Sequence, residues 1–281
     1  MKAFSHSRLV VLTLILSFWP GYLQKVQAGL IVNLEKLIVE LGPDGRTTRQ
    51  LEITNTSDQP ADIDVFAADW IQDENGGVDA VDPTTVKAPD SATGWISVSP
   101  QRFLLRKGEK KVVVVSFAMP KAASEMSLKE YRSMIFTQTT ETKEQAPSPG
   151  RELRIRMISR IGTKVFVRNP HAQAKLDCEV TNLEEATREG QRGLEIQVAN
   201  HGNQHIQSDG SQVAFRDDSG ATIDTLSISP FSVLPDHQRK VFLEFPKPDK
   251  SKLDKGRHYS ALAVIDYGGS DLVAGELGFT Y

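Results

Sequence analysis

The chain has 281 residues, of which 39% are hydrophobic and 25% charged, and it contains one Cys. That composition excludes collagen-like, disordered and multi-span membrane classes, and a formal charge of −3 gives no net pull towards nucleic acid. A lone Cys excludes an intrachain disulfide and Cys-rich zinc sites, while the length suits two domains, each able to bury a core.

Taken in chain order, the first element is a targeting segment. Lys2 and Arg8 precede the apolar run Leu9–Trp19, and Val26-Gln27-Ala28 offers small residues at a cleavage spacing. This is the pattern of a secretory signal peptide over residues 1–28. The apolar run falls short of the ~20 residues that a spanning helix needs; an uncleaved anchor is the alternative. Cleavage after Ala28 makes Gly29 the mature start and makes the protein an exported one, so its stability must come from packing without a disulfide. Cys178, in the alternating run Lys175–Val180, is expected to be a buried small hydrophobe.

The remainder reads as strands. Period-two alternation marks Gln50–Thr54, Asp62–Trp70, Tyr131–Thr137, Leu194–Val198, Val241–Phe245 and Ser260–Ile265. Lys111–Phe117 is a continuous β-branched run, which predicts a strand covered on both faces. Turn clusters such as Gly42-Pro43-Asp44-Gly45 and Asn75-Gly76-Gly77 separate these runs, and the one helical candidate is short, around Lys121–Glu130. About seven strands on each side of Pro170 predict an all-β protein of two tandem immunoglobulin-like sandwiches. The expected units are 29–168, closed by a long strand, and 169–281, with Asn169-Pro170 breaking the chain between them.

That long strand, Arg151–Arg168, stands out. Leu153, Ile155, Met157, Ser159 and Ile161 share one face with Thr163, Val165 and Val167, while Arg154, Arg156, Arg160 and Lys164 share the other. Two readings are open. The arginines can be the charge that protects an edge strand, with the apolar row packed in the protein's own core. Alternatively, the edge stays open and a partner strand adds to it.

Several stretches resemble, in order, the PapD-like periplasmic pilus chaperones. They are Trp95–Val114, with a P-x-R-x-x-L-x-x-G turn entering a strand; Glu130-Tyr131-Arg132-Ser133 with Met134-Ile135-Phe136; Lys164–Pro170, ending in Arg168-Asn169-Pro170; and Ile265-Asp266-Tyr267-Gly268-Gly269. The resemblance implies two sandwiches set at an angle with a cleft between them, and a cleft that holds the terminal carboxylate of a pilus subunit. It implies Lys164 as one anchor of that carboxylate. Lys36 stands where the family has an Arg, and so offers a point charge in place of a planar fork. It implies a donor strand formed by Leu153, Ile155, Met157, Ser159 and Ile161, and an interdomain ion pair between Arg168 and Asp266. The acidic third member of that pair's network would fall near Arg132, so the resemblance implies that this part is absent or different here.

The function implied is capping of pilus or fimbrial subunits that lack their last strand, in the periplasm, with delivery to an outer-membrane usher; a self-capping homodimer is a further implied partner. The alternative is an envelope adaptor of the same fold that binds no subunit. No G-x-S-x-G, H-E-x-x-H, P-loop or G-x-G-x-x-G is present, so neither enzyme activity nor a cofactor is expected. His201 and His205 flank a Gly/Asn turn and predict no metal site. Asn55-Thr56-Ser57 matches a glycosylation sequon.

Overall fold

The computed structural model describes residues 29–81, 90–140, 158–246 and 251–281. The signal-peptide segment and Leu153, Ile155 and Met157 lie outside the described residues. Among the described residues, no helix is long and apolar enough to cross a membrane.

The first sandwich is built from β1 (Leu30–Val32), β2 (Lys36–Glu40), β3 (Arg46–Asn55), β4 (Ala61–Ala68), β5 (Trp70–Gln72), β6 (Val78–Ala80), β7 (Ile96–Ser99), β8 (Arg102–Leu105), β9 (Lys110–Ala118), β10 (Glu130–Thr139) and β11 (Arg160–Arg168). One sheet runs β1-β3-β9-β7 and the other β2-β11-β10-β4-β8, while β5 and β6 form a separate hairpin. The chain leaves the first sheet after β1 and enters the second at β2, where it pairs parallel to β11. Alternation decides the layers. Leu51 and Ile53 of β3, Ile63 and Val65 of β4, Val113 and Val115 of β9, and Val165 and Val167 of β11 are all buried between the sheets.

The second sandwich comprises β12 (Cys178–Arg188), β13 (Gln191–Asn200), β14 (Ile206–Ser208), β15 (Gln212–Arg216), β16 (Thr222–Ser227), β17 (Phe231–Val233), β18 (Gln238–Glu244), β19 (His258–Ile265) and β20 (Val273–Thr280). Its sheets are β12-β13-β18 and β16-β15-β19-β20, with β14-β17 as a short pair. Leu194, Ile196, Phe215, Ala261 and Phe279 centre a second core. A third, smaller cluster joins Trp70, Met134, Phe136 and Phe166 of the first sandwich to Leu234 of the second. The two immunoglobulin-like sandwiches therefore meet over an apolar contact.

Two expectations change. The β-branched run in β9 is covered on one face only, since Val112 and Val114 are 45% and 37% exposed. A hydrophobic run cannot by itself report a second covering layer, because folded surfaces carry much apolar area. The helical candidate shrinks to one turn, α1 (Lys121–Ser124), and Glu130 already opens a strand. The sequon is closed by burial. Asn55 is fully buried, its side-chain amide donates to the carbonyls of Gln59 and Leu105, and its oxygen accepts from Ser57. Such an Asn has no free amide to offer.

Cys178 packs in the second core, and burial pushes its thiol up to about 11. At pH 8 the folded protein should therefore alkylate roughly 100-fold more slowly than the unfolded chain, from thiolate fraction alone. Mass-spectrometric labelling with iodoacetamide, with and without urea, reads this directly; equal rates would mean the thiol is exposed.

Candidate functional site

The parallel ladder between β2 and β11 sets Lys36 directly opposite Lys164, followed by Leu37 opposite Val165 and Glu40 opposite Arg168. Period two then divides the strands by face. Leu37, Val39, Val165 and Val167 enter the core, whereas Lys36, Lys164, Phe166 and Arg168 turn towards the second sandwich. Two ammonium groups from separate strands thus share one surface.

Beneath them lies an aromatic floor. The Lys164 ammonium sits 5.4 Å from the centre of the Trp70 ring, and the Trp70 indole N–H donates to the Ser133 carbonyl at 3.0 Å. Trp70 meets Phe166 edge-on at 6.0 Å, and Phe166 stacks on His205 of the second sandwich at 4.0 Å. The cation–ring contact compensates Lys164 in part for lost water.

Lys164, Lys36 and Glu35 line a cleft of about 600 Å³ whose opposite wall is His205, Gln207, Pro230, Phe231, Ser232 and Arg239. The Lys36 ammonium donates to Gln207 Oε1 at 3.1 Å, across the two sandwiches. Burial holds the Lys164 pKa below the usual lysine value; Arg239 and Lys36 lower it further, and Glu35 opposes them. The Arg239 pKa is also lowered, chiefly by burial, with Asp73 acting against the shift. A cleft walled by partly desolvated cations suits an anion with more than one acceptor oxygen.

The sandwiches are joined by a buried carboxylate. Glu130 of β10 accepts the backbone N–H of His205 at 3.0 Å and lies 2.6 Å from His205 Nδ1, which fits the tautomer protonated there. Its other oxygen faces Arg168 Nε at 3.7 Å, while Arg168 Nη1 pairs with Glu40 at 2.8 Å. The ion pair expected between Arg168 and Asp266 does not form. The Asp266 carboxylate instead accepts the Gly268 N–H at 3.0 Å in its own turn, and the Asp266 N–H donates to Ser211 Oγ at 2.9 Å. Near Arg132, where the third member was expected to be absent or different, the same strand face carries Glu130, two residues earlier. Arg132 itself lies 3.2 Å from Asp90.

Of the row expected to be donated, two members are described. Ser159 ties its backbone to Thr139, and Ile161 packs against the first core. His201 is half exposed beside Glu179, and among the described residues no group of three His, Cys, Asp or Glu is placed to hold a metal.

Three residues of the site escape sequence reading: Arg239, His205 and Gln207. All three come from the second sandwich and reach the cleft only through the docking of the two units. Arg239 lies in an ordinary alternating strand with Lys240, so no local signal separates it from a solvated arginine.

No protein-family profile matches the chain. No curated protein matches it either. Among solved structures it is similar to the E. coli chaperone DraB, at 15% identity over 88% of this chain and 96% of that one, with a TM-score of 0.45. It is also similar to the Pseudomonas aeruginosa CupB2 chaperone, at 16% identity over 89% and 99%, TM-score 0.43. A third likeness is to a chain of the Salmonella enterica SafA pilin–SafB chaperone complex, at 12% identity over 91% and 97%, TM-score 0.42. Likeness at this distance carries no functional inference.

Replacing Glu130 with Ala removes the acceptor for two His205 donors and leaves Arg168 with one acid fewer. The expected cost is about 3–5 kcal/mol, the usual consequence of breaking a buried charged network on one side. Glu130→Gln, which keeps an acceptor oxygen, should lose less. Urea unfolding followed by tryptophan fluorescence checks both, and an unchanged midpoint in Glu130→Ala would show that the carboxylate does not join the sandwiches.

Proposed function

We propose that this protein is a periplasmic chaperone that binds pilus-type subunits by strand donation and passes them to an outer-membrane usher. The observation that supports it is the outer edge of β11. β2 pairs with that edge only from Lys164 onward. Upstream, Arg160–Gly162 ladder with β10 on the other side and have no paired strand on the outer side among the described residues. An extended chain added to this open stretch runs parallel to β11, as β2 does, and ends at Lys164 and Lys36. Its terminal carboxylate meets the cations there.

In this scheme the long strand extends through Leu153, Ile155 and Met157 into a subunit that lacks its last strand. Each apolar side chain contributes about 1.5–3 kcal/mol on full burial. The added backbone ladder supplies affinity and direction, and the lysines fix the register by charge-assisted hydrogen bonds worth about 1.5–3 kcal/mol. The signal peptide at residues 1–28, the units 29–168 and 169–281, and the absence of enzyme activity belong to the same proposal.

Affinity purification from periplasm tests it with wild type beside Lys164→Ala and Ile155→Asp. The expected result is a small immunoglobulin-like subunit, identified by mass spectrometry, retained by wild type and lost from both variants. A partner that survives both changes places the interface elsewhere. A well-folded dimer without any partner would favour the envelope adaptor.

A further inference from the structure

The third cation of the cleft comes from the second sandwich. Arg239 of β18 lines the same cavity as Lys36 and Lys164, and among the described residues it makes no ion pair. Its Nε is buried and has no hydrogen-bond partner. Buried donors in native proteins are nearly always satisfied, so an orphan one beside a ligand-sized cleft leaves the guanidinium with hydrogen-bonding capacity that the protein's own groups do not use. Asp73 acts on Arg239 through its charge but forms no ion pair with it, and one of its oxygens is held in its own turn. Its Oδ1 accepts the N–H groups of Asn75 at 2.8 Å and Gly77 at 2.7 Å within the β5–β6 turn.

The guanidinium is positioned by that same hairpin. Gly76 has φ +83°, and a β-carbon built there would land on the Arg239 guanidinium. Only glycine leaves the space and tolerates the backbone. One residue on from Arg239 the docking is fixed as well. The Lys240 N–H donates to the Glu74 carbonyl at 2.6 Å, and the Lys240 ammonium pairs with the Glu74 carboxylate at 2.9 Å. The hairpin thus holds the arginine at the cleft wall, and its guanidinium makes no hydrogen bond among the described residues.

We propose that Arg239 is the principal carboxylate-binding residue of the cleft: it supplies the planar fork for a polypeptide's terminal carboxylate, which Lys36 and Lys164 flank as point charges. This rests on the function proposed above and adds a residue to it. A guanidinium matches the two oxygens of a carboxylate with paired donors, which an ammonium cannot do. Burial lowers the Lys164 pKa most, the like charges of Arg239 and Lys36 add to it, and that added repulsion is relieved when one anion sits among the three.

The test uses the full chain with labelled Arg and Lys side chains, followed by NMR. The probe is acetate, titrated at constant ionic strength with chloride as the exchanging anion and acetamide as the uncharged control. The expected result is that the Arg239 Nε–H and Lys164 signals move along one saturating curve with acetate and stay still with acetamide. In Arg239→Gln, the acetate needed for half-saturation at Lys164 should rise about tenfold. Arg239→Lys should recover part of this, and Lys110→Gln, on the far sheet, should change nothing. Wild-type acetate affinity at Lys164 in Arg239→Gln overturns the role of Arg239 and leaves the proposed function standing. If the Arg239 signal stays still while the lysines respond, the outcome is the same, and it holds even when the variant does not fold. Absence of a saturable response at all three cations overturns both.

Discussion

Two lysines placed side by side by a parallel strand pair is an arrangement that a sheet normally avoids, and the cleft is organised around it. After β1 the chain leaves that sheet, and β2 joins β11 in the other one with Lys36 against Lys164. Like charges in register cost free energy, and burial of Lys164 adds to that cost. What surrounds them reads as mitigation: the Trp70 ring under one ammonium, the Gln207 carbonyl oxygen on the other, and Glu35 at the rim. None of these cancels the charge. The cleft remains cationic, and that residual field is the property the proposed chemistry uses.

Holding this field together requires two separately cored sandwiches to stay in register. The aromatic run Trp70–Phe166–His205 and the buried Glu130 do this with complementary physics. The rings supply area without direction. The carboxylate supplies direction, because one oxygen accepts two donors from the same residue of the neighbouring sandwich. A purely apolar junction would permit sliding, and sliding by a few ångströms would take Gln207 and Arg239 away from the lysines.

The legible parts of the fold were those in which neighbours in sequence decide the outcome. Alternation located most strands and assigned Lys164 and Ile161 to opposite faces, and Lys36 and Lys164 do meet. Misreadings arose where a distant element decides. The run around Val112 and Val114 carries no mark of whether a second layer covers it. Arg168 had acidic residues at several sequence distances, and its close partner Glu40, brought alongside by the parallel pairing of β2, with Glu130 farther off at 3.7 Å, is invisible locally. The two-residue offset between Arg132 and Glu130 preserves the strand face, so sequence spacing alone could not separate them. Arg239 was beyond reach because its meaning comes from a glycine on the other sandwich.

The junction where β2 begins has a geometric consequence. On the proposed reading, β2 and an incoming strand occupy one edge of β11 end to end, so the first residue of β2 acts as a buffer stop. Alignment is then counted from the free end of the guest. Adding one residue beyond its last apolar position would shift the whole strand by one and turn every side chain to the opposite face. The cleft would thus behave as a ruler, indifferent to much of what the guest's final residues are and strict about how many of them there are.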